Sequence, residues 1–467
     1  MRDRSYSART LRRGAGAGIA LRTAALLLGA LLAVGCEDAV VPDLNNPSLE
    51  GITNNPSLQQ VQSMATGLLI GNRDDIDDQI RDMEILGRDA YNLDAADPRW
   101  VVEMLIELDP GGFGTRHWRE HYRNVKGADV MVASVGTAEA LTAEEKSAAV
   151  GFAQTMKALD LLQTLEMRDT AGIAADAGAT ADELAPILCR DPALDRIVAL
   201  LDSASGALQA GGDAFPFVLP NGFVAFNNPT SFRTFNRALV AKTEVYRAKD
   251  DPSANGRALA ALAESFVSTS APLNLGVYHV FSLAAGDATN ELFQDPATTN
   301  YRAHPSVLTD AEPGDQRVAA KTEIGEEKTY QGVGSDIIFT VYSDPTSPIP
   351  IVKNEELILL RAQANIGAGD LEAARQDINF IRQTSGGLGP VGPFADADAA
   401  ITELLRQKRY SLLFESGSRW ADARLYGRLG TLPIDINDPP NTVHKVHPIF
   451  PIPDEERNVR GDVTCTQ

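Results

Sequence analysis

Between Glu355 and Arg382 the chain encodes two helices folded back on each other. Glu355-Glu356-Leu357-Ile358-Leu359-Leu360-Arg361-Ala362-Gln363-Ala364 is an unbroken run of helix formers. Gly367-Ala368-Gly369-Asp370 reads as a turn, and Leu371 to Arg382 returns as a second helix with Ala373 and Ala374 at its crossing face. Small residues at a crossing let two helix axes approach closely. This unit commits the chain to helix-on-helix packing.

Other stretches carry the same pattern. Helical periodicity runs from Ser57 to about Ile70. Trp118, Tyr122 and Val125, spaced four and three, fall on one helix face. Thr142 and Glu145 form a capping box ahead of the stripe Ala149, Phe152, Met156, Leu159, Leu162. These two helices read as an αα-hairpin. A further unit runs over Asp191–Leu208 and resumes over Phe232–Arg247, with Ala238 and Ala241 as small contact residues. The hairpins resemble tetratricopeptide units without a strict 34-residue period. The expected class is mainly α: TPR-like hairpins over about 56–165, 191–247 and 353–425 form a scaffold. Residues 209–230, 270–350 and 427–467 interrupt it as long insertions rich in Gly, Pro, Asn, Asp and Thr. Ile337 to Tyr342 is a short β-like run within the second of them. Gly386-Gly387-Leu388-Gly389 follows a helix and reads as a stop signal, not a phosphate cradle. Long ordered loops on a compact scaffold commonly carry function.

The first 35 residues read as a leader. Six arginines precede or flank an apolar run from Thr23 to Val34, too short to span a bilayer, which takes about 20 residues. The run ends at Leu32-Ala33-Val34-Gly35-Cys36. A small residue before Cys is what lipoprotein processing requires, so Cys36 is the expected lipidation site; the alternative is an ordinary signal cut nearby with a free Cys36. Several acyl chains would anchor the chain durably where one holds only marginally. Residues 36–55, with Pro42, Asn45, Asn46 and Pro47, read as a tether, and 56–467 as one helical domain. The formal charge is −21. Removing the leader takes away six arginines and one aspartate and leaves about −26. Such a chain offers no basic patch for nucleic acid or for anionic lipid. Cys189 and Cys465 remain. In an exported protein they are candidates for a disulfide that pins the C-terminal tail, provided the fold brings them together.

Five motifs in order resemble the SusD/RagB family of outer-membrane nutrient-uptake lipoproteins. They are the Cys of the leader, Trp118 with Tyr122, the segment from Leu359 to Arg382, the stretch Phe414-Glu415-Ser416-Gly417-Ser418-Arg419-Trp420-Ala421-Asp422-Ala423-Arg424, and Pro451-Ile452-Pro453-Asp454-Glu455-Glu456. Ser416 is an insertion relative to the family's Glu-Gly spacing, and Gln407-Lys408-Arg409 stands where the family has Glu-Arg. The resemblance covers essentially the whole chain. It implies a non-enzymatic protein at the outer membrane, with no cofactor. It implies capture of an oligosaccharide or peptide and delivery to a SusC-like TonB-dependent barrel. Glu37 and Asp38 after the anchor then suggest display at the outer face. The hairpins would face the barrel and the loop-rich face would touch nutrient. Arg419, Asp422 and Glu415 are expected to form an arginine–carboxylate network buttressing Trp420.

Family ligand residues vary, so none carries over. Trp100, after Asp97-Pro98-Arg99, and Tyr91 are the candidate exposed aromatics for stacking on sugar rings, with core packing as the alternative. His117-Trp118-Arg119-Glu120-His121 matches H-x-x-E-H. It carries the competing reading of a surface zinc hydrolase, but no third ligand is evident, and a satisfied histidine pair is the plainer reading. Asp74, Asp75, Asp77 and Asp78 lack the spacing and glycine of a calcium loop and read as a solvated face. A scaffolding adaptor without small-molecule ligand is the third reading.

Overall fold

Helix starts follow local chemistry. In this computed structural model, which describes residues 53–176 and 184–461 together with 463 and 465, a Ser57–Gln60 capping box opens α1 (Leu58–Arg73). The leader, Cys36 and most of the 36–55 tether lie outside the described residues. Next come α2 (Ile76–Leu86) and α3 (Arg119–Thr137). The Thr142–Glu145 box forms and opens α4 (Ala143–Arg168). It is followed by α5 (Arg190–Gln209). An Asn228 cap with Pro229 at the first turn starts α6 (Pro229–Arg247). Then follow α7 (Ala254–Ala263), α8 (Asn354–Ala368), α9 (Leu371–Thr384), α10 (Ala397–Ser411) and α11 (Ser418–Leu425). Between α8 and α9, Gly369 sits at φ 87°, a left-handed position that favours glycine, and Asp370 caps α9 through Ala373 N.

The helices pack in sequence order. α3 lies on α4, α4 on α5, α5 on α6, α6 on α7, α7 on α8, and α8 on both α9 and α10. Ala238 and Ala241 are fully buried at their contact, as their size requires. The fold is thus mainly helical with TPR-like hairpins. One core joins α1 and α3–α8 around Phe152, Leu162, Leu201 and Phe235, and another sits among α8, α9 and α10 around Ile358, Ile378 and Leu404. Among the described residues no helix is long and apolar enough to cross a membrane.

Short strands brace the insertions: β1 (Ala90–Asn92), β2 (Gly276–His279), β3 (Tyr301–Ala303), β4 (Thr322–Tyr330), β5 (Val333–Phe339) and β6 (Ile349–Lys353). All pairings are antiparallel: β1 with β3, β4 with β5, and β2 with β6, where the register shifts between Val277 and Tyr278. The β-like run read from Ile337 to Tyr342 lies in β5 only as far as Phe339.

The signature near the C-terminus is structural, but its wiring differs from the expected one. Arg419 does not pair with Asp422. It reaches Asp89 at 2.7 Å and donates to the Arg88 carbonyl at 2.8 Å. Asp422 is held by Lys408 at 2.6 Å, and Glu415 by Lys321 at 3.0 Å and by Lys353. The reason is geometric: α11 lies against α2, so residues far back in the chain sit closer to Arg419 than does its own helix neighbour. Arg409 also reaches Asp89, at 2.8 Å, so Lys408 and Arg409 of the divergent Gln-Lys-Arg run both hold buried carboxylates. Trp420 is fully buried and donates Nε1–H to the His447 carbonyl at 2.7 Å. Arg424 covers its ring at 4.7 Å and donates to the Pro448 carbonyl at 2.9 Å. The Pro451-containing segment is pinned in turn by Phe450 N to the Met167 carbonyl and by Arg168 to the Pro451 carbonyl.

Cys189 and Cys465 are joined by a disulfide, with Cα atoms 4.8 Å apart across 276 residues of sequence. Cys465 lies with Val463 against Trp118, Ala174 and Ile187, so the bond ties the tail to the base of α5. Closing so long a loop restricts the unfolded chain, and Cys189→Ser is expected to lower stability by about 2–4 kcal/mol. Thermal unfolding of the two forms, with and without reductant, checks this: reductant should lower the wild-type transition and leave the variant unchanged.

Candidate functional site

Two of the insertions meet α1 around a cavity of about 580 Å³. The first insertion is folded by strand-like alternation. Phe215, Phe217 and Leu219 point inward, and Val218 between them is 79% exposed. Phe215 and Phe217 stack at 5.1 Å and lean on Phe152 and Phe232, so the segment is bolted to α4 and α6. A 3₁₀ turn, Asn221–Phe226, follows and buries Phe223 beneath the cavity. Gly222 lets that turn touch β2: a Cβ there would stand 2.0 Å from the Tyr278 carbonyl oxygen, so no side chain fits without moving the strand.

The second insertion supplies the far wall. Tyr278 and His279 at the end of β2, Val280, and the loop through Asp287 line it, with Ile351 of β6. Asn290 anchors the loop's end by donating to the Ser347 carbonyl at 2.8 Å and from its backbone N–H to the Pro345 carbonyl at 2.8 Å. Arg73, from the last turn of α1, closes the near side. It donates to the Val280 carbonyl and to Asp287, and its guanidinium lies 5.2 Å from the Phe281 ring. Gln62 holds the mouth, accepting from Val218 N at 2.8 Å and donating to Thr66 Oγ1 at 3.0 Å. The floor is apolar, with Met156, Leu219 and Phe223 buried. His279 lines the cavity at 5% exposure, and its Nε2 has no hydrogen-bond partner. Burial first, then the charges of Arg73 and His121, push its imidazole down to about 3, so it is neutral at physiological pH. Volume, apolar lining and few polar groups are the attributes of a small-molecule site.

An acidic cleft of about 430 Å³ adjoins the cavity, sharing Ile70 and Arg73 and lined by Asp74, Asp77, Asp78, Glu120 and Glu291. Asp77 is pushed up to about 6 by burial and by the nearby Asp78 and Glu291 charges. The solvated face read from the sequence is only partly solvated. Asp75 is held by His117, and Asp78 by Arg81 and Arg116. These ties draw the carboxylates inward.

The H-x-x-E-H stretch does not present one helical face. His117 precedes α3, with φ at 60°, and both residues are buried. His117 sits between Asp75 and Asp82, the latter at 2.8 Å; His121 sits between Asp160 at 3.0 Å and Gln79 at 3.2 Å. All four ring nitrogens are engaged within the protein, and no described group of His, Cys, Asp and Glu converges as a metal site. Burial opposes the charged imidazole of His117, but the Asp75 charge and hydrogen bond, with Asp82, prevail and raise it to about 9. A raised folded-state value stabilises the fold below the unfolded value of about 6.5, and that stabilisation is lost as pH rises through 9. Relative to His117→Gln, the wild type should therefore lose on the order of 2–3 kcal/mol between pH 6.5 and 9. Urea unfolding of both proteins across that range tests it; parallel curves would contradict it.

The two aromatic candidates lie elsewhere. Trp100 stands in the first turn of a short helix, Arg99–Leu105, instead of a loop. Its ring faces are taken by Arg81 at 4.0 Å, Arg116 at 5.2 Å and Phe113 at 4.5 Å. Tyr91 is 3% exposed in β1, its ring 5.1 Å from His304. Neither lines the cavity, and in this conformation neither offers an open face for stacking. The aromatics that do line it, Phe223 and Tyr278, belong to the two loop-rich insertions, the face expected to meet ligand.

No family model matches the sequence, and no curated protein matches it. Solved structures do. A SusD superfamily protein from Parabacteroides distasonis superposes with a TM-score of 0.63 at 15% identity, covering 87% of this chain and 98% of that one. Surface glycan-binding protein A from Bacteroides thetaiotaomicron, solved in complex with laminarihexaose, gives 0.66 at 11% identity, over 87% and 98%. A SusD-like carbohydrate-binding protein from Bacteroides vulgatus gives 0.63 at 12% identity, over 87% and 97%. At these identities the likeness speaks for the fold.

Proposed function

From the SusD-like fold of this chain as premise, we propose that the protein binds glycan at the cell surface, taking an oligosaccharide into the cavity between α1 and the two loop-rich insertions. The observation that carries the reading is the cavity itself: a preformed, partly apolar site walled by rigidly anchored insertions on a helical scaffold. A similar scaffold holds laminarihexaose in one solved neighbour. The leader ending in Cys36 supports a lipid-anchored protein at the outer membrane. The finer reading is a capture subunit that passes its cargo to a SusC-like TonB-dependent barrel. Nothing in the arrangement calls for bond-breaking chemistry: the histidines of the competing zinc reading are committed to Asp75, Asp82, Asp160 and Gln79.

The test has two arms. Calorimetric titration of the mature chain with an oligosaccharide panel and a peptide panel should give saturable binding with oligosaccharide. Affinity capture from mildly solubilised outer membranes should retain a TonB-dependent barrel in stoichiometric amount. Capture of a barrel with peptide binding alone would keep the transport role and change the cargo. Absence of any small-molecule binding would favour the adaptor reading.

A further inference from the structure

We propose that residues 282–289 form a hinged flap on the cavity, latched by the Arg73–Asp287 ion pair, and that this latch sets the rate of ligand exchange. The flap is a property of the chain alone. Its effect on exchange rests on the glycan-binding reading above.

The segment is fixed at its two ends and free between them. Phe281 and Asn290 are buried, whereas every residue from 283 to 289 is exposed. Phe281 lies under the Arg73 guanidinium at 5.2 Å, and Asn290 is tied to the Pro345 and Ser347 carbonyls. Among the described residues, none from 282 to 289 joins a hydrophobic core. Leu283, its one large apolar side chain, is 74% exposed. Apolar burial therefore does not hold the segment down.

Its hydrogen bonds close on themselves. Ser282 N–H donates to the Ala288 carbonyl and Asp287 N–H to the Ala284 carbonyl, both at 3.1 Å. The Asp287 carboxylate accepts from the Ser282 hydroxyl at 2.7 Å and from Ala288 N–H at 2.9 Å. A segment bonded in this way keeps its shape when it moves. At its tip Gly286 has φ 89°, and nothing lies within 4 Å of where its Cβ would stand.

Among the described residues, one hydrogen-bonded ion pair joins 282–289 to the rest of the protein, Asp287 with Arg73. Arg73 comes from the last turn of α1 on the near side, and Ala285, Gly286 and Asp287 line the far wall. The pair thus bridges the two sides of the cavity. Ala288 and Thr289 line the acidic cleft, so the flap stands between cavity and cleft, and opening it joins them. The Arg73 bond first, then the Ser282 hydroxyl, hold the Asp287 carboxyl down to about 2, so the latch stays charged at neutral pH. It is also weak. The Asp287 side chain is 31% exposed; such a pair shifts an equilibrium by about two- to five-fold, and salt screens it. Fixed ends, a self-contained middle and one weak tie mark a segment that opens before its surroundings.

The flap is read without ligand from the distance between spin labels at Leu283→Cys and Val224→Cys, both exposed positions. Cys36→Ser leaves no other free thiol, since Cys189 and Cys465 are bonded. At low salt one distance should dominate. Asp287→Asn should raise a second, longer population about two- to five-fold. Adding 1 M NaCl to the otherwise native chain should do the same, and salt should add nothing to Asp287→Asn. In stopped-flow mixing of the full mature chain with its tightest oligosaccharide, Asp287→Asn should speed association and dissociation alike by about two- to five-fold, leaving affinity nearly level. Distances unmoved by both the variant and salt would overturn the flap while glycan capture stands. A flap that opens with exchange rates unchanged would overturn its role in exchange. If no oligosaccharide binds, the glycan reading and the exchange role fall together, and the distances still decide the flap.

Discussion

Asp89→Ala is expected to cost about 3–5 kcal/mol, because it strips a shared, buried carboxylate from the buried Arg409 and the partly buried Arg419. Asp89 is 1% exposed and accepts from Arg409 at 2.8 Å and Arg419 at 2.7 Å. Burial already pulls the Arg419 guanidinium below its ordinary value, and the Asp89 charge is what opposes that. Without it, Arg419 keeps the Arg88 carbonyl, and Arg409 keeps Asp310 and Ser306. Asp89→Asn, which retains an acceptor but no charge, should cost less. Equilibrium urea unfolding reads the difference, and a loss below about 1 kcal/mol for Asp89→Ala would mean that water replaces the carboxylate.

Trp420→Ala should cost a similar amount, about 3–5 kcal/mol, through the cavity it leaves. The indole is fully buried, with Phe450 edge-on at 5.9 Å and Arg424 over its face. The substitution also frees the His447 carbonyl, which receives its Nε1–H. Hydrogen exchange should therefore speed up locally in residues 444–452 at denaturant levels too low for global unfolding. Trp420→Phe, which keeps bulk and loses the donor, separates the two effects: it should retain most of the stability while still loosening that segment.

What was legible in the sequence was local. The Thr142 capping box, the periodicity from Ser57 and the Gly369 turn lie within a few residues of the structures they cause, so the hairpins could be placed. The partners of Arg419 could not. Spacing offers Asp422, three residues away, but the tertiary fold offers Asp89, 330 residues back. α2 was hidden for a related reason: its Arg81, Asp82 and Glu84 are charged yet buried, so pattern reading assigns that face to solvent. Glu84 is held by Phe414 N and Gly417 N, contacts that no local signal announces.

The cavity is the hardest feature to read, since its walls come from α1, residues 218–223 and residues 278–287, with Met156 and Ile351 between. The loop-rich composition pointed to two of the segments that wall the cavity, whereas the aromatics it singled out lie away from it. Trp100 and Tyr91 looked free because nothing near them in sequence covers them; Arg81, Phe113, Arg116 and His304 do so in space. One available signal was the alternation Phe215, Phe217, Leu219, whose period of two marks an inward-facing extended segment in place of a free loop.

The most direct test of the account is a crystal structure of the mature chain grown with the oligosaccharide that binds it most tightly. Sugar density is expected in the cavity between α1 and the two insertions, in contact with Tyr278. Density confined to another surface, with this cavity empty at saturating ligand, would contradict it.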